Sequence, residues 1–358
     1  FGSSHNGKSQ EPVAEGLKDS GWLREQLTHK GPELGGEAVS LINHMASPEN
    51  DIAQLTCITE SKDGTTKLLL KMKDGLEVET VIIPWEDRKR STLCISSQVG
   101  CRQGCTFCAT GRMGIIRSLS AAEIVAQMYY ANKICRISKI HTIDNIVFMG
   151  MGEPADNAVE VVKATKILTH PNMFGLTSRR VTISTVGPNP DSFLQLSDAN
   201  VTLAWSVHAT RQQVREALVP TTKYSMEELR EGFLKAISGK SRALKSTMLE
   251  ITLIDNMNDS YDDAMHLVEF CKPIQQQASK LIVNLIPWND ISAPSGLATR
   301  FRQPSTDSIF RFQEILKENG IRCYIRTTRG DEENAACGQL ATNSKRKART
   351  STRIKTNQ

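Results

Sequence analysis

From position 90 onward the sequence alternates short β-rich runs with amphipathic helical stretches, and this alternation constrains the fold most. The runs are TLCIS, NIVFMG (145–150), RVTIST (180–185), VTLAWSVH (201–208), MLEITLI (248–254) and LIVNLIP (281–287), with IRCYIRT (321–327) closing the series. Between them SAAEIVAQMYYANK and SMEELREGFLKAI each open on a capping box, Ser120 with Glu123 and Ser225 with Glu228. Helical spacing also predicts helices over 158–169, 260–271 and 305–319. Repeated β-α units build a parallel sheet with right-handed crossovers, and reactive groups gather at the C-terminal ends of its strands. The expected class is α/β, a partial (β/α)6 barrel of about six strands rather than a full eight.

Three regions follow. Residues 85–341 form the core. Residues 1–84 read as a small N-terminal accessory unit: a polar start over 1–12 read as disordered, weak helical patterning over 17–56, and a hairpin near 65–84 turning at Asp74-Gly75. Residues 342–358 form a basic tail read as disordered. Lys345, Arg346, Lys347, Arg349, Arg353 and Lys355 sit there without an acid, so the net charge of +5, less these six, leaves the rest at −1. Such a tail is either a solvated end or an arm that finds RNA electrostatically. Hydrophobic residues at 39% and charged residues at 23% describe a globular chain, and no apolar run approaches the roughly 20 residues that span a membrane. Because the sequence begins at Phe1, targeting is left open.

Four of nine cysteines fall within CISSQVGCRQGCTFC, residues 94–108. Their crowding, without a secretory signal in view, argues for a reducing compartment and a metal or redox site rather than a disulfide scaffold. Cys57, Cys135, Cys271 and Cys323 sit singly in apolar surroundings and read as core residues. A structural zinc site wants four ligands, normally in two paired knuckles. Here Cys101, Cys105 and Cys108 stand at C-x3-C-x2-C with no second pair. Three thiolates and one open position suit a [4Fe–4S] cluster that leaves one iron free for a small molecule. Phe107, just ahead of the third cysteine, fits the same pattern.

The triplet with CISSQVGCRQGCTFCATG, MGMGEP (149–154), RRVTIST (179–185), WSVHA (205–209), NLIPWN (284–289) and RGDEENAACGQL (329–340) resembles, in order, the RlmN/Cfr family of radical S-adenosylmethionine (SAM) RNA methyltransferases, and RlmN more closely than Cfr. The resemblance covers roughly residues 65 to 341. The first sixty residues do not match the helical accessory domain that such proteins carry.

This resemblance implies a radical-SAM barrel with a [4Fe–4S] cluster on Cys101, Cys105 and Cys108 and with SAM as second cofactor. It implies SAM contacts at Gly152, Glu153, Ser184, Ser206, Val207, His208 and Asn289, at or near predicted strand ends. It makes Cys337 the S-methylcysteine intermediate, Cys94 the resolving cysteine that forms a transient disulfide with it, and Glu79 the proton acceptor. Taken by themselves, Glu79 would pass for a solvent-facing strand residue, His208 for a structural one and Cys337 for a passive loop side chain. The implied substrate is an adenosine of large-subunit rRNA methylated at carbon 2, with tRNA as an open second substrate and carbon 8 as the Cfr-like alternative. Arg179, Arg180 and Arg329 are candidates to meet phosphates or to be surface charges. The implied partners are RNA and an electron donor such as flavodoxin or ferredoxin. The expected protein is monomeric, without a membrane, in the cytoplasm or an organelle stroma or matrix. Two other classes stay open: a radical-SAM enzyme acting on a non-RNA substrate, and a metal-stabilised RNA-binding module.

Overall fold

The structure, a computed structural model, describes residues 51–291 and 295–342. The expectations for residues 1–12, most of 17–56 and nearly all of the basic tail lie outside them. Over the described residues one ten-stranded sheet carries the fold, in the order β1-β2-β3-β4-β7-β8-β9-β10-β11-β12, with a separate ribbon of β5 and β6. Strands β1 (Ala53–Glu60), β2 (Thr66–Met72), β3 (Glu77–Trp85) and β4 (Arg90–Cys94) pair antiparallel. From β4 the sheet turns parallel through β7 (Ile143–Phe148), β8 (Val181–Thr185), β9 (Thr202–Ser206), β10 (Ser246–Leu253), β11 (Lys280–Pro287) and β12 (Arg322–Ile325). The parallel strands thus number seven, one more than the count of six. The α/β class holds.

Helices cover the sheet because their apolar stripes need it. Between β5 (Gln98–Cys101) and β6 (Gly114–Ser118) lies the short α1 (Ala109–Met113), and α2 (Ala121–Ile137) follows on the Ser120–Glu123 capping box. Next come α3 (Ala158–Thr169), α4 (Pro190–Ser197), the short α5 (Gln212–Leu218) and α6 (Met226–Ser238), the last opened by the Ser225–Glu228 box. Finally α7 (Tyr261–Gln277) and α8 (Thr306–Glu318) flank β11. Helix α8 buries Ile309, Phe312 and Leu316, one stripe at helical spacing. Beneath the strand ends, Trp205 meets Phe193, Phe233 and Phe270 with ring centroids 5.1 to 5.4 Å apart. Each such buried ring contributes on the order of 2 to 3 kcal/mol, so this layer is a stiff floor for whatever sits above it. Cys57, Cys135, Cys271 and Cys323 are buried, as read. No helix among the described residues is long and apolar enough to cross a membrane.

Candidate active site

The three clustered cysteines occupy the loop that joins β5 to β6. Cys101 ends β5, Cys105 follows Gly104, and Cys108 caps the N-terminus of α1. The loop is tight: a Cβ on Gly111 would stand 2.8 Å from the Cys105 nitrogen, and one on Gly100 would collide with the Gly114 carbonyl. Only hydrogen fits there. The loop rests on α5, where Thr106 donates its N–H to the Leu218 carbonyl (3.0 Å) and its hydroxyl to that of Ala217 (3.2 Å).

A cavity opens above the C-terminal strand ends, enclosing about 950 Å³ of empty space with its open mouth included. Cys101, Cys105, Cys108, Gly152, Glu153, Ser184, Ser206, His208, Asn289 and Cys337 all line it. Residues 236 positions apart, Cys101 and Cys337, therefore share one chamber. Val207, Cys94 and Glu79 do not line it. Val207 is fully buried in the core, and its carbonyl accepts from Arg215 at 2.6 Å.

All nine cysteines are free thiols. Burial pushes the thiols of Cys101, Cys105 and Cys108 above their usual range, so each holds its proton until a metal displaces it. Among the described residues no three His, Cys, Asp or Glu side chains converge on one point as a single ion requires. The ligands of a four-iron cubane sit on separate irons and need no such convergence, so three thiols facing one chamber fit that group.

Glu153 lies at the head of the turn that follows β7. The Gly152 before it has φ +99°, and a Cβ there would meet Gln98 at 2.6 Å. Gln98 returns the contact by accepting the Glu153 N–H at 2.9 Å. The Glu153 carboxylate accepts the N–H groups of Ala155 (2.9 Å) and Val186 (3.0 Å), yet burial still pushes its pKa up to about 7. Ser184 and Ser206 hydrogen-bond to each other across adjacent strand ends at 2.9 Å. His208 sits in left-handed backbone (φ 57°), its Nδ1 accepting from the Thr252 N–H at 3.2 Å, so the proton is on Nε2. Burial first, and the nearby Arg215 second, keep it neutral. Its ring packs 4.5 Å from that of Phe107.

After β12 the chain crosses back over the cavity as a strap, residues 326–341. Arg329 pairs with Asp63 at 2.9 Å and lies over the Trp85 ring, and Gly330 donates to the same Asp63 carboxylate. Arg329 is thus an anchor of the strap. Arg180 pairs with Asp144 at 3.5 Å, and Arg179 is exposed. The strap is held over the cysteine loop by Ala109 N–H to the Gly338 carbonyl (2.7 Å) and by Asn289 Nδ2 to the Cys337 carbonyl (3.0 Å). Cys337 is exposed to the cavity mouth. Glu79 is only 7% exposed, unlike a solvent-facing strand residue: Lys67 pairs with it at 3.1 Å and the Ala341 N–H donates to it at 2.9 Å. Burial raises its pKa and Lys67 offsets part of the rise.

Cys94 ends β4, half-buried, its thiol pushed up to about 12 by burial and then by the charge of Cys337, with Arg326 pulling the other way. Sequence reading missed Arg326, which pairs with the buried Glu250 at 3.6 Å, and Arg215. The signal for Arg215 was present, since a charge occupies the inward face of α5 three residues before the buried Leu218.

The sequence model of the Radical SAM superfamily matches residues 95–268. A dual-specificity RNA methyltransferase RlmN of Saccharophagus degradans is 41% identical over 288 residues, 79% of this chain and 69% of that protein. Its namesake in Francisella tularensis subsp. novicida is 43% identical over 286 residues, covering 78% and 74%. Among solved structures, a radical SAM methyltransferase from Sphaerobacter thermophilus superposes with a TM-score of 0.77 at 34% identity, over 90% of this chain and 88% of that one.

Proposed function

From a chain that belongs to the RlmN family of radical-SAM RNA methyltransferases, we propose an enzyme that methylates carbon 2 of an adenosine in large-subunit ribosomal RNA, with tRNA as a second substrate. Its cofactors are a [4Fe–4S] cluster and SAM. One observation carries the reading: Cys337, far away in sequence, lines the same cavity as Cys101, Cys105 and Cys108. When bound, the cluster supplies the single electron that cleaves SAM reductively.

In this reading Cys101, Cys105 and Cys108 ligate the cluster. Gly152, Glu153, Ser184, Ser206, His208 and Asn289 hold SAM, the glycine by admitting close backbone approach and Glu153 by accepting from the SAM ammonium, whereas Val207, buried outside the cavity with its carbonyl on Arg215, supports the site from behind. Asn289 keeps one N–H and one lone pair for this after its bonds to Cys337 and Thr328. Carbon 2 of adenine is electron-poor and cannot displace a methyl group from SAM by itself. Cys337 overcomes this by taking the methyl on sulfur and presenting it to the ring for radical addition. Glu79 then accepts the proton from the substituted carbon; its raised pKa suits a base that must pick a proton up. The odd electron of the adduct would return to the cluster, and the Cys94 thiolate then attacks the Cys337 sulfur: the S–S bond forms as the sulfur–methylene bond breaks, the electron pair passes to the methylene and the ring, a proton taken up there completes the methyl group, and a transient disulfide is left between the two cysteines. The target base is an unstacked adenosine in the cavity mouth, and a flavodoxin or ferredoxin supplies electrons.

The test is mass spectrometry of the purified protein for a methyl group on Cys337, with nucleoside analysis of RNA after turnover. Methylated Cys337 with 2-methyladenosine is the expected result. An unmethylated Cys337 with unmodified RNA would sink the proposal, and 8-methyladenosine would move it to the Cfr-like reaction.

A further inference from the structure

Arg215 is a fully buried cation without an anionic partner among the described residues. Its guanidinium donates to three main-chain carbonyls, Ser206 (2.8 Å), Val207 (2.6 Å) and Val186. Its Nε–H has no hydrogen-bond partner among the described residues. No carboxylate among the described residues lies within ion-pair distance of it. Glu153 is near, but the Val186 peptide stands between them: its N–H donates to Glu153 and its carbonyl accepts from Arg215. Three carbonyl dipoles offset only part of the cost of desolvating a full charge, so a site built this way is incomplete until an anion arrives.

The surroundings say where that anion sits. Arg215 belongs to α5, the helix whose last carbonyls are capped by Thr106 of the cysteine loop. Cys105 packs in one buried cluster with Leu218, Val219 and Val186, which flank Arg215 in sequence or bond to it.

We propose that Arg215 is the built-in counter-ion of the iron–sulfur cluster, raising its reduction potential from beneath the Cys105 corner. This rests on the assignment of the cluster to the three cysteines. A cluster held by three thiolates is anionic, and one added electron makes it more so. A fixed, dry cation therefore stabilises the reduced form more than the oxidised form. Hydrogen bonds to three carbonyls lock that cation in place, so it cannot follow the charge or retreat to water. Arg215 is a positioning residue: it acts on the potential and leaves ligation to the cysteines.

The experiment is a redox titration of the reconstituted full chain, followed by the electron paramagnetic resonance signal of the reduced cluster. Arg215→Met should make the cluster at least tenfold harder to reduce, about 59 mV for one electron, with iron content near that of the unaltered chain. Arg215→Lys, which keeps the charge, should shift it less. An Arg215→Met cluster at the unaltered potential overturns the proposal. An unaltered chain that takes up no cluster overturns both this proposal and the ligand assignment, so the two failures are separable. Arg215→Met strands three carbonyls, so a second measurement, for the case in which that chain does not fold, needs no change at Arg215. With 15N-labelled arginine, pulsed resonance of the reduced cluster should show a 15N coupling that persists when Arg102, Arg112 and Arg326 are each replaced by Lys. Absence of coupling, or its loss with any of those three replacements, overturns the proposal.

Discussion

Glu153 carries a charge in a place that resists it, and the consequence can be measured as stability against pH. Burial lifts its pKa from 4.5 to about 7 in the folded chain. The folded state therefore holds this proton more tightly than the unfolded state, by about 3 kcal/mol. The sign follows: the contribution is fully present below pH 4.5 and is lost as pH rises through 7. Between pH 5 and pH 8 the loss comes to about 2.5 kcal/mol. Chemical denaturation of the cluster-free and SAM-free protein across that range, beside Glu153→Gln, isolates the effect, because titrations common to both chains cancel. The glutamine adds an offset of its own, since its amide can satisfy only one of the Ala155 and Val186 N–H groups as an acceptor. That offset does not depend on pH, so the slope is the readout. The unaltered chain should lose stability relative to Glu153→Gln as pH rises. Parallel profiles from pH 5 to 8 would refute the reasoning and make Glu153 an ordinary carboxylate. If the slope appears, the folded apo-protein stores a strained carboxylate that a bound ammonium group would relieve, linking the stability of the fold to the binding of SAM.

Three further outcomes are expected. Gly152→Ala must force left-handed backbone on a side chain and push its Cβ to 2.6 Å from Gln98, so it should destabilise the fold by about 3 kcal/mol; a melting temperature within a degree of the unaltered chain would show that the turn yields. Cys94→Ala should stall with RNA covalently attached through Cys337, surviving denaturation but not nuclease, whereas Cys337→Ala should trap none; normal turnover by Cys94→Ala without a crosslink removes the resolving role. Deleting residues 342–358 should weaken RNA binding chiefly at low salt and flatten its salt dependence; an unchanged slope makes the tail a bystander.

Periodicity carried much of the fold. Helix α3 spans the residues that the pattern gave, α8 differs by one residue at each end, and the Ser120 and Ser225 boxes cap the helices that they announced. These are local signals, decided within one turn of chain. Helix α7 shows where local logic stops. Its pattern ended at 271, ahead of Pro273, yet the helix runs on to Gln277 because Ile274 is fully buried against the core; packing outweighs the lost N–H. The three-cysteine loop was legible because ligand spacing is itself local. Arg215 was legible only as an inward charge, because its meaning depends on the carbonyls of Val186, Ser206 and Val207 at the ends of β8 and β9, which only the sheet brings to it.

The strap is the part that no local pattern could place, and it explains the antiparallel strands. A cysteine that lines the mouth of an open strand-end cavity needs its loop fixed on both sides. On one side Ala109 and Asn289 bind the strap to the parallel strands and the cysteine loop. On the other there is no parallel strand beyond β4 among the described residues, and the fixing points come from β1–β3 and their turns: Asp63 holds Arg329 and Gly330, Lys67 holds the Glu333 carbonyl, and Glu79 holds the Ala341 N–H. Gly330 is needed there, since a Cβ on it would stand 2.8 Å from Thr65. Extending a parallel sheet with antiparallel strands thus closes the circuit around the cavity, and it buries Glu79 at the foot of the segment that carries Cys337. The raised pKa of Glu79 and the position of Cys337 have one structural cause, so cutting the Asp63–Arg329 anchor with Asp63→Ala should loosen both together.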